Sequence, residues 1–523
     1  MTTLDADLRR AAADAPHKEA LVAGELRVTY AQLDAAVDAL AARLHAHGAE
    51  RGDRVAVLLP NGVEAAVAIY ATLRAGAAFV PLNPTIKADK LAYVLRDCGA
   101  VAVVTDDALA PLAEEARSEV PSVRAVLRAQ DDADVAVGDE TRGPAFAGHV
   151  AGAGTPPPAP PISVDLAAIV YTSGSTGRPK GVTLTHANMA FAAGSIVSYL
   201  GMGAHDRVLC VIPLSFDYGL YQLLMCVRVG ATLVLERGFA FPGRVLELLE
   251  REEITGLPGV PTIFQVLASA GAGGVAHDLP ELRFLTNTAA ALAPATIRAL
   301  CDAFPSVRLY SMYGLTECKR ALYLPPEQLD ARPESVGIPI PGTEAWIEDD
   351  AGARLPPGEV GELVVRGAHV MQGYWNDEAA TAERLRPGRW PWERELLTGD
   401  LFRADEEGYL YFVGRRDDIL KSRGEKVAPK EVEAVLHTAE GVRMAAVVGA
   451  PDQLLGQAIV AYVVPHEHAQ LTAAALRRHC AMRLEDYMVP ARIELCEALP
   501  TTPNGKVDRR ALAEEAAAAA VAR

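Results

Sequence analysis

YTSGSTGRPKG, Tyr171 to Gly181, decides how the rest of this chain is read. Glycines at 174, 177 and 181 let the backbone approach phosphate oxygens. Thr172, Ser173, Ser175 and Thr176 offer hydroxyls, and Lys180 a cation. The better-known phosphate loop needs lysine followed directly by Ser or Thr after G-x-x-x-x-G. Here Lys180 lies between Pro179 and Gly181, so that reading fails. A flexible Ser/Gly linker is the plain alternative, but linkers rarely follow a buried strand, and the preceding run LAAIVY (166–171) reads as one. Past the loop, VTLTHANMAFAAGSIVSYL predicts a second short strand and then a helix, with Thr185 or Asn188 as its cap. Strand, loop, strand and helix in this order suit an α/β nucleotide site.

The chain has 523 residues, more than one hydrophobic core usually organises, and its 50% hydrophobic content allows a sizeable core in each of two or more domains. No apolar run is long enough to span a bilayer, and the first residues, MTTLDADLRRAAADAPHKEA, lack the apolar centre of a signal peptide. A cytoplasmic protein without a membrane span is the expectation. A formal net charge of −17 argues against a general nucleic-acid binder, since nonspecific affinity for phosphate backbones needs an excess of Lys and Arg. An anionic ligand must therefore meet local positive charge. The seven cysteines (98, 210, 226, 301, 318, 480 and 496) are scattered and never in C-x-x-C spacing, so most read as reduced core residues.

Between residues 26 and 140, helix-like Ala/Leu stretches alternate with the apolar runs RVAVLLP (54–60), AFVPLN (78–83) and AVAVVTD (100–106), a rhythm that predicts βαβ units. GPAFAGHVAGAGTPPPAPP (143–161) is too rich in proline for regular structure and reads as an exposed loop. DRVLCVIPL, GATLVLE, ITGLPGV and VRLYSMYG continue the strand series from 206 onward. After about residue 330 the texture changes to short β pieces (GTEAWIEDDAGA, GEVGELVVRG, GYLYFVGR), which predict a β-rich subdomain. The last hundred or so residues read as a compact α+β domain with strands around MAAVVGA and AIVAYVVP, and the Ala-rich tail after Leu512 as a frayed helix.

Three further segments carry chemistry. MYGLTE (312–317) sets Tyr313, able to stack on a base, close to Glu317, able to hold Mg2+ against phosphates; an ordinary polar turn after a strand is the alternative. TGD (398–400) and GYLYFVGRRDD (408–418) place Asp400 and Arg415 at the ends of two β segments. There a carboxylate could take a ribose diol, or the two could form a surface ion pair. PTTPNGKVDRRAL (500–512) presents Lys506 just after an Asn-Gly turn, where a lysine is usually solvated unless the turn folds over a nucleotide.

Taken together, YTSGSTGRPKG, MYGLTE, the TGD with Asp400, GRRDDILKSRGEKVAPKEVE (414–433) and PNGKVDRRAL (503–512) resemble the motif series of the AMP-forming adenylating superfamily. That superfamily includes acyl-CoA synthetases, peptide-synthetase adenylation domains and luciferases. The motifs stand in the family order, and the resemblance covers nearly the whole chain. It implies a large multi-sheet α/β N-terminal domain with a β-rich subdomain (1–416), and a small mobile α+β C-terminal domain (417–523). It also implies a two-step reaction: a carboxylate attacks the α-phosphorus of ATP to give acyl-AMP and pyrophosphate, and a second nucleophile, usually a pantetheine thiol, displaces AMP.

Carried over motif by motif, the resemblance gives the β- and γ-phosphates to the loop of Thr172, Ser173, Gly174, Ser175, Thr176, Gly177 and Lys180. It gives the α-phosphate to Thr316, Mg2+ to Glu317, adenine to Tyr313, and ribose to Asp400 and Arg415. Lys506 would sit between the acid's oxygen and the α-phosphate. Asp417 matches the hinge position, Gly424 would line a thiol tunnel in the 421–426 loop, and Lys421 matches a phosphate-contacting position. Substrate choice would lie in PLSFDYGLYQLLM (213–225) and TNTAAALAP (286–294), hence in Phe216, Asp217, Tyr218 and Thr288. Asp217 matches the aspartate that pairs with the substrate ammonium in amino-acid-activating relatives. The apolar neighbours and the 414–433 motif point instead to an acyl or aryl acid, and both readings stand. The acceptor is CoA, the phosphopantetheine arm of a separate carrier protein, or a non-thiol nucleophile. A scaffold that has lost turnover would lack Glu317, Asp400 or Lys506, all of which are present, and a luciferase-like oxygenase would use the same adenylate.

Overall fold

The computed structural model describes residues 3–129, 160–173, 179–239, 242–272, 279–288, 292, 294–416, 420–422, 425–452, 456–467, 469–484, 487–502 and 506–521. The chain divides into one compact unit of residues 1–345 and 365–397 and a second of 346–364 and 398–523, so Leu397 and Thr398, neighbours in the strand Arg394–Ala404, mark one junction.

The first unit is built on two large sheets among the described residues. One orders its strands Gly373–Tyr374, Pro179–Thr185, Leu166–Ser173, Ala78–Pro81, Arg54–Leu58, Ala102–Thr105 and Ala125–Arg128. Its centre is parallel, as the βαβ rhythm predicts: Arg54–Leu58 pairs in parallel with both Ala78–Pro81 and Ala102–Thr105. These strands read as unbroken apolar runs because helices cover both faces; every residue of Ala78–Pro81 and Ala102–Thr105 is buried. The other sheet runs Ile338–Pro339, Leu322–Tyr323, Arg308–Tyr313, Phe284–Asn287, Gly256–Gly259, Arg207–Cys210, Thr232–Leu235, Glu19–Ala23 and Leu26–Thr29. Its last two strands form a hairpin that turns at Gly24, where φ is +62°, and Glu19–Ala23 pairs in parallel with Thr232–Leu235. The first strand-like run recognised in the sequence is RVAVLLP at 54–60, so Glu19–Ala23 and Leu26–Thr29 are additions that only the pairing reveals.

In the second unit, Glu425–Val427, Leu420–Ser422, Gly456–Pro465 and Val442–Asp452 form a sheet, with Arg492–Leu495 pairing parallel to Gly456–Pro465. Alternation along Val442–Asp452 feeds two cores. Ala445 and Val447 join Val432, Leu436, Leu476 and Cys480 on one face, and Ala446, Val448 and Ala450 join Leu499, Leu512 and Ala516 on the other. The Ala-rich tail expected to fray is instead the helix Arg509–Val521, docked through Leu512 and the fully buried Ala516. Small side chains let this helix approach the sheet closely, which composition alone did not reveal. The proline-rich stretch lies almost entirely outside the described residues. Five of the seven cysteines (98, 210, 226, 318 and 480) are buried, as core residues should be.

Candidate active site

The phosphate-loop candidate is the tip of an antiparallel hairpin whose arms, Leu166–Ser173 and Pro179–Thr185, pair Tyr171 with Gly181, Thr172 with Lys180 and Ser173 with Pro179. Gly174, Ser175, Thr176 and Gly177 lie outside the described residues. The hairpin arms are held tightly. A Cβ on Gly181 would lie 2.7 Å from Ile169 Cγ2 and 3.3 Å from Trp375 Cβ, so only glycine fits under the segment that crosses it. After the second arm, Thr185 and Asn188 make a reciprocal capping box that starts the helix His186–Leu200, so both residues named as candidate caps take part.

The crossing segment, 371–375, ties the second hairpin arm to the MYGLTE turn. Gln372 N–H donates to the Thr183 carbonyl (3.0 Å), Trp375 N–H to Gly181 (2.7 Å) and Met371 N–H to Glu317 (2.8 Å). Tyr374 thereby reaches both sites at once. Its hydroxyl donates to Glu317 Oε1 at 2.6 Å, and Lys180 Nζ stands 5.3 Å from the centre of its ring. The Lys180 ammonium, the half-buried Glu317 carboxylate and an aromatic ring are thus assembled from segments far apart in sequence. Tyr374 was not recognised in the sequence, although the Gly-Tyr-Trp triplet at 373–375 is the signal that marks it.

Tyr313 ends the strand Arg308–Tyr313 opposite Leu322, and the chain then turns over residues 315–320, with Lys319 N–H donating to the Leu315 carbonyl (2.6 Å) and Ala321 N–H to the Tyr313 carbonyl (3.0 Å). A Cβ on Gly314 would fall 2.1 Å from the Lys319 carbonyl oxygen and 2.9 Å from Arg320 Cα, so the turn closes only over glycine. Lys319 adopts φ +64°, uncommon for a residue with a side chain. Thr316 and Glu317 are half-buried in this turn, and Cys318, Lys319 and Arg320 are buried.

Three of the four residues named as substrate candidates, Asp217, Tyr218 and Thr288, stand near those last two cations. Phe216 precedes the helix Asp217–Val229, with Asp217 half-buried in its first turn. Tyr218 donates its hydroxyl to the Thr286 carbonyl at 2.6 Å, and burial pushes its phenol up to about 12. The Arg320 guanidinium lies 5.3 Å from the Tyr218 ring centre and donates to Thr288 Oγ1 at 2.5 Å, joining the two candidate substrate segments. Lys319 Nζ lies 5.5 Å from the centre of the Tyr221 ring. Burial holds the Lys319 ammonium below its ordinary value, while Asp217 and then Glu317 pull it upward.

Asp400 and Arg415 belong to the second unit. They face each other across the antiparallel pair Arg394–Ala404 and Leu410–Arg415, with Arg415 Nε donating to Asp400 Oδ1 at 3.2 Å. Asp400 is buried while the Arg415 side chain is 60% exposed, so the pair is both an ion pair and an exposed polar edge. The TGD turn is fixed by Gly399, whose φ is +73° and whose N–H donates to Glu362 Oε1 at 2.8 Å. Lys506 is exposed on a turn closed by Thr502 N–H donating to its carbonyl (2.7 Å) and by the Thr501–Val507 bridge. Arg509 anchors that turn to the core, donating to buried Glu433 Oε1 (2.6 Å) and to the Val447 carbonyl (2.8 Å). Lys421 lies in the strand Leu420–Ser422, and Asp417 and Gly424 fall outside the described residues.

Among the described residues, no three His, Cys, Asp or Glu side chains gather as a ready metal cage. Glu317 is the carboxylate the motif offers to Mg2+, a hard cation that keeps most of its waters and is normally shared between one or two carboxylates and substrate phosphates. With Oε1 engaged by Tyr374, Oε2 is the atom that would face the ion. No helix among the described residues is long and apolar enough to cross a membrane.

The AMP-binding enzyme family matches residues 8–375, and the AMP-binding enzyme C-terminal domain matches residues 431–506. A feruloyl-CoA synthase of Amycolatopsis sp is 34% identical over 501 residues, covering 95% of this chain and 96% of that protein. A component of the linear gramicidin synthase of Brevibacillus parabrevis is 32% identical over 505 residues, which span 95% of this chain but 6% of that protein. Among solved structures, ATP-bound MatB from Rhodopseudomonas palustris superposes with a TM-score of 0.87 at 29% identity, covering 98% of this chain and 99% of that one. With the five motifs in order on a matching fold, this chain belongs to the AMP-binding enzyme family, the AMP-forming adenylating superfamily.

Proposed function

We propose that the protein activates a carboxylic acid with ATP as acyl-AMP and transfers the acyl group to the thiol of CoA, using the motif residues in their family roles. As a family member with CoA-ligase relatives along its whole length, it is an AMP-forming acid–thiol ligase. The observation that carries the residue assignments is the convergence of Lys180, Tyr374 and Glu317, two motif residues joined by a third.

In the first half-reaction a carboxylate oxygen of the acid attacks the α-phosphorus, the bond to the bridging oxygen breaks, and pyrophosphate leaves. Thr172, Ser173 and Lys180 would hold the departing phosphates with Gly174, Ser175, Thr176 and Gly177, and Thr316 the α-phosphate. Tyr313 would lie against adenine, and Asp400 and Arg415 at the ribose. Magnesium, when bound at Glu317, neutralises charge on the phosphates. Lys506 would steady the charge that develops between attacking oxygen and phosphorus, an electrostatic role worth about a hundredfold or more in rate. In the second half-reaction the thiol sulfur attacks the acyl carbonyl, gives up its proton, and AMP leaves. We further propose that residues 417–523 turn about Asp417 between the two steps, with Lys421 and Gly424 then serving the thiol, and that the enzyme works in the cytoplasm.

Similarity to a gramicidin synthase supports a second acceptor, the phosphopantetheine arm of a separate carrier protein. The test is exchange of labelled pyrophosphate into ATP across a panel of acids, followed by thioester formation with CoA or a pantetheinylated carrier. Acid-dependent exchange with thioester formed on CoA is the expected result. ATP binding with no acid-dependent exchange would overturn the proposal.

A further inference from the structure

The reaction scheme leaves two enclosed cations unused. Lys319 and Arg320 are each 6% exposed, both directed inward by the turn that closes over Gly314. Lys319 Nζ meets no hydrogen-bond acceptor among the described residues, and neither Asp217 nor Glu317, the charges that attract it, is in ion-pair contact. Arg320 spends one Nη on Thr288, and its Nε has no partner among the described residues. The Tyr221 hydroxyl, on the same helix as Asp217 and Tyr218, is likewise buried with no partner among the described residues.

Three enclosed donors therefore stand beside the described residues of the segments expected to select the acid, Tyr218 and Thr288 among them. Leaving a buried donor unsatisfied costs about 1–3 kcal/mol, and more for a charged group. A ligand that brings acceptors removes that penalty; one that brings only donors adds to it. An ammonium has three donors and no acceptor. It would gain Asp217, a half-buried carboxylate already drawn toward Lys319, while standing among two enclosed cations. A hydroxyl, keto or carboxylate oxygen is the opposite case, able to accept from Lys319 Nζ, Tyr221 Oη or Arg320 Nε.

We propose that Lys319, supported by Arg320 and Tyr221, determines substrate class, selecting an acid whose non-reacting end carries an oxygen acceptor in place of an ammonium. This rests on the ligase reading and on Phe216, Asp217, Tyr218 and Thr288 facing the acid. It reassigns Asp217 as a counter-charge to the chain's own Lys319.

The experiment compares acids on matched carbon skeletons, aliphatic and aromatic, bearing hydrogen, hydroxyl, carboxylate or ammonium at the same distal carbon, in acid-dependent pyrophosphate exchange. Wild-type kcat/KM should favour hydroxyl- or carboxylate-bearing acids over both the unsubstituted and the ammonium-bearing members. Which oxygen acid ranks first separates a neutral from an anionic partner. In Lys319→Met the preference for oxygen over hydrogen should fall at least about tenfold, the loss of one charge-assisted hydrogen bond. Lys319→Arg should restore part of it. A melting temperature and ATP affinity close to wild type identify a folded variant. If Lys319→Met does not fold, Tyr221→Phe serves, and a smaller loss of the same preference is expected. An ammonium-bearing acid ranked first by wild type, or an unchanged oxygen-to-hydrogen ratio in the folded variants, overturns the inference while leaving the ligase reading intact. Absence of exchange with every acid overturns both.

Discussion

Glu317 Oε1 takes the Tyr374 hydroxyl at 2.6 Å, so under the proposed function Oε2 would be the oxygen left for Mg2+. Tyr374→Phe removes that donor and keeps the ring beneath Lys180, so the carboxylate loses its orientation while the cation–π contact stays. We expect a several-fold rise in the Mg2+ concentration needed for half-maximal exchange, with stability changed by no more than about 1 kcal/mol. An unchanged magnesium dependence would remove the orienting role. Glu317 and Lys180 were legible from their motifs, but Tyr374 lies 57 residues from the carboxylate it serves, and no local pattern announces such a partner. Lys319 was hidden for another reason. A lysine after a Thr-Glu-Cys run reads as solvated surface, and only the closed turn at φ +64° sends it inward. Two histidines carry a separate prediction. His186 Nδ1 accepts the Leu4 N–H, His369 stacks on Phe191, and burial holds both near a pKa of about 4. Their folded values lie below the unfolded one, so both groups stay neutral in the fold. The stability this confers is complete above about pH 6.5 and is lost as pH falls toward 4, by up to about 3 kcal/mol for each. Calorimetry between pH 7 and pH 4.5 should show a falling transition temperature, less steep in His186→Asn. An equal pH slope in wild type and variant would contradict this.

At the scale of elements, the MYGLTE turn and the three residues after it hold Tyr313, Thr316, Glu317, Lys319 and Arg320, five of the residues given roles in the proposals. Gly314→Ala puts a methyl against the Lys319 carbonyl at 2.1 Å, and the turn must open to accept it. The expected cost is about 1–3 kcal/mol of stability, together with loss of exchange, because Thr316, Glu317 and Lys319 shift at once. A variant with wild-type exchange and melting would show that the turn has slack. Elements were legible where periodicity was strong: the parallel strands at 54–58, 78–81 and 102–105 stand where their apolar runs place them. Elements held by distant partners were less so. Glu19–Ala23 is a strand because Thr232–Leu235 offers it an edge, and Arg509–Val521 is firm because Ala516 packs on Val448 and its neighbours.

Over the whole molecule, the candidate machinery is split between two units of the chain. The residues proposed for phosphate, magnesium and the acid lie in the first, whereas Asp400, Arg415 and Lys506 lie in the second. The motif order made the family readable from the chain alone, since five short signatures fix more than composition can. The identity of the acid was not readable in the same way, because it depends on how side chains from three segments meet. The assignment of Lys506 separates the two half-reactions. It should matter for making the adenylate and not for consuming it. The most direct measurement is acid-dependent pyrophosphate exchange in wild type and Lys506→Ala, alongside thioester formation from a synthetic acyl-adenylate. The account predicts exchange reduced about a hundredfold or more in the variant, with the second step retained. Full exchange in Lys506→Ala would contradict it.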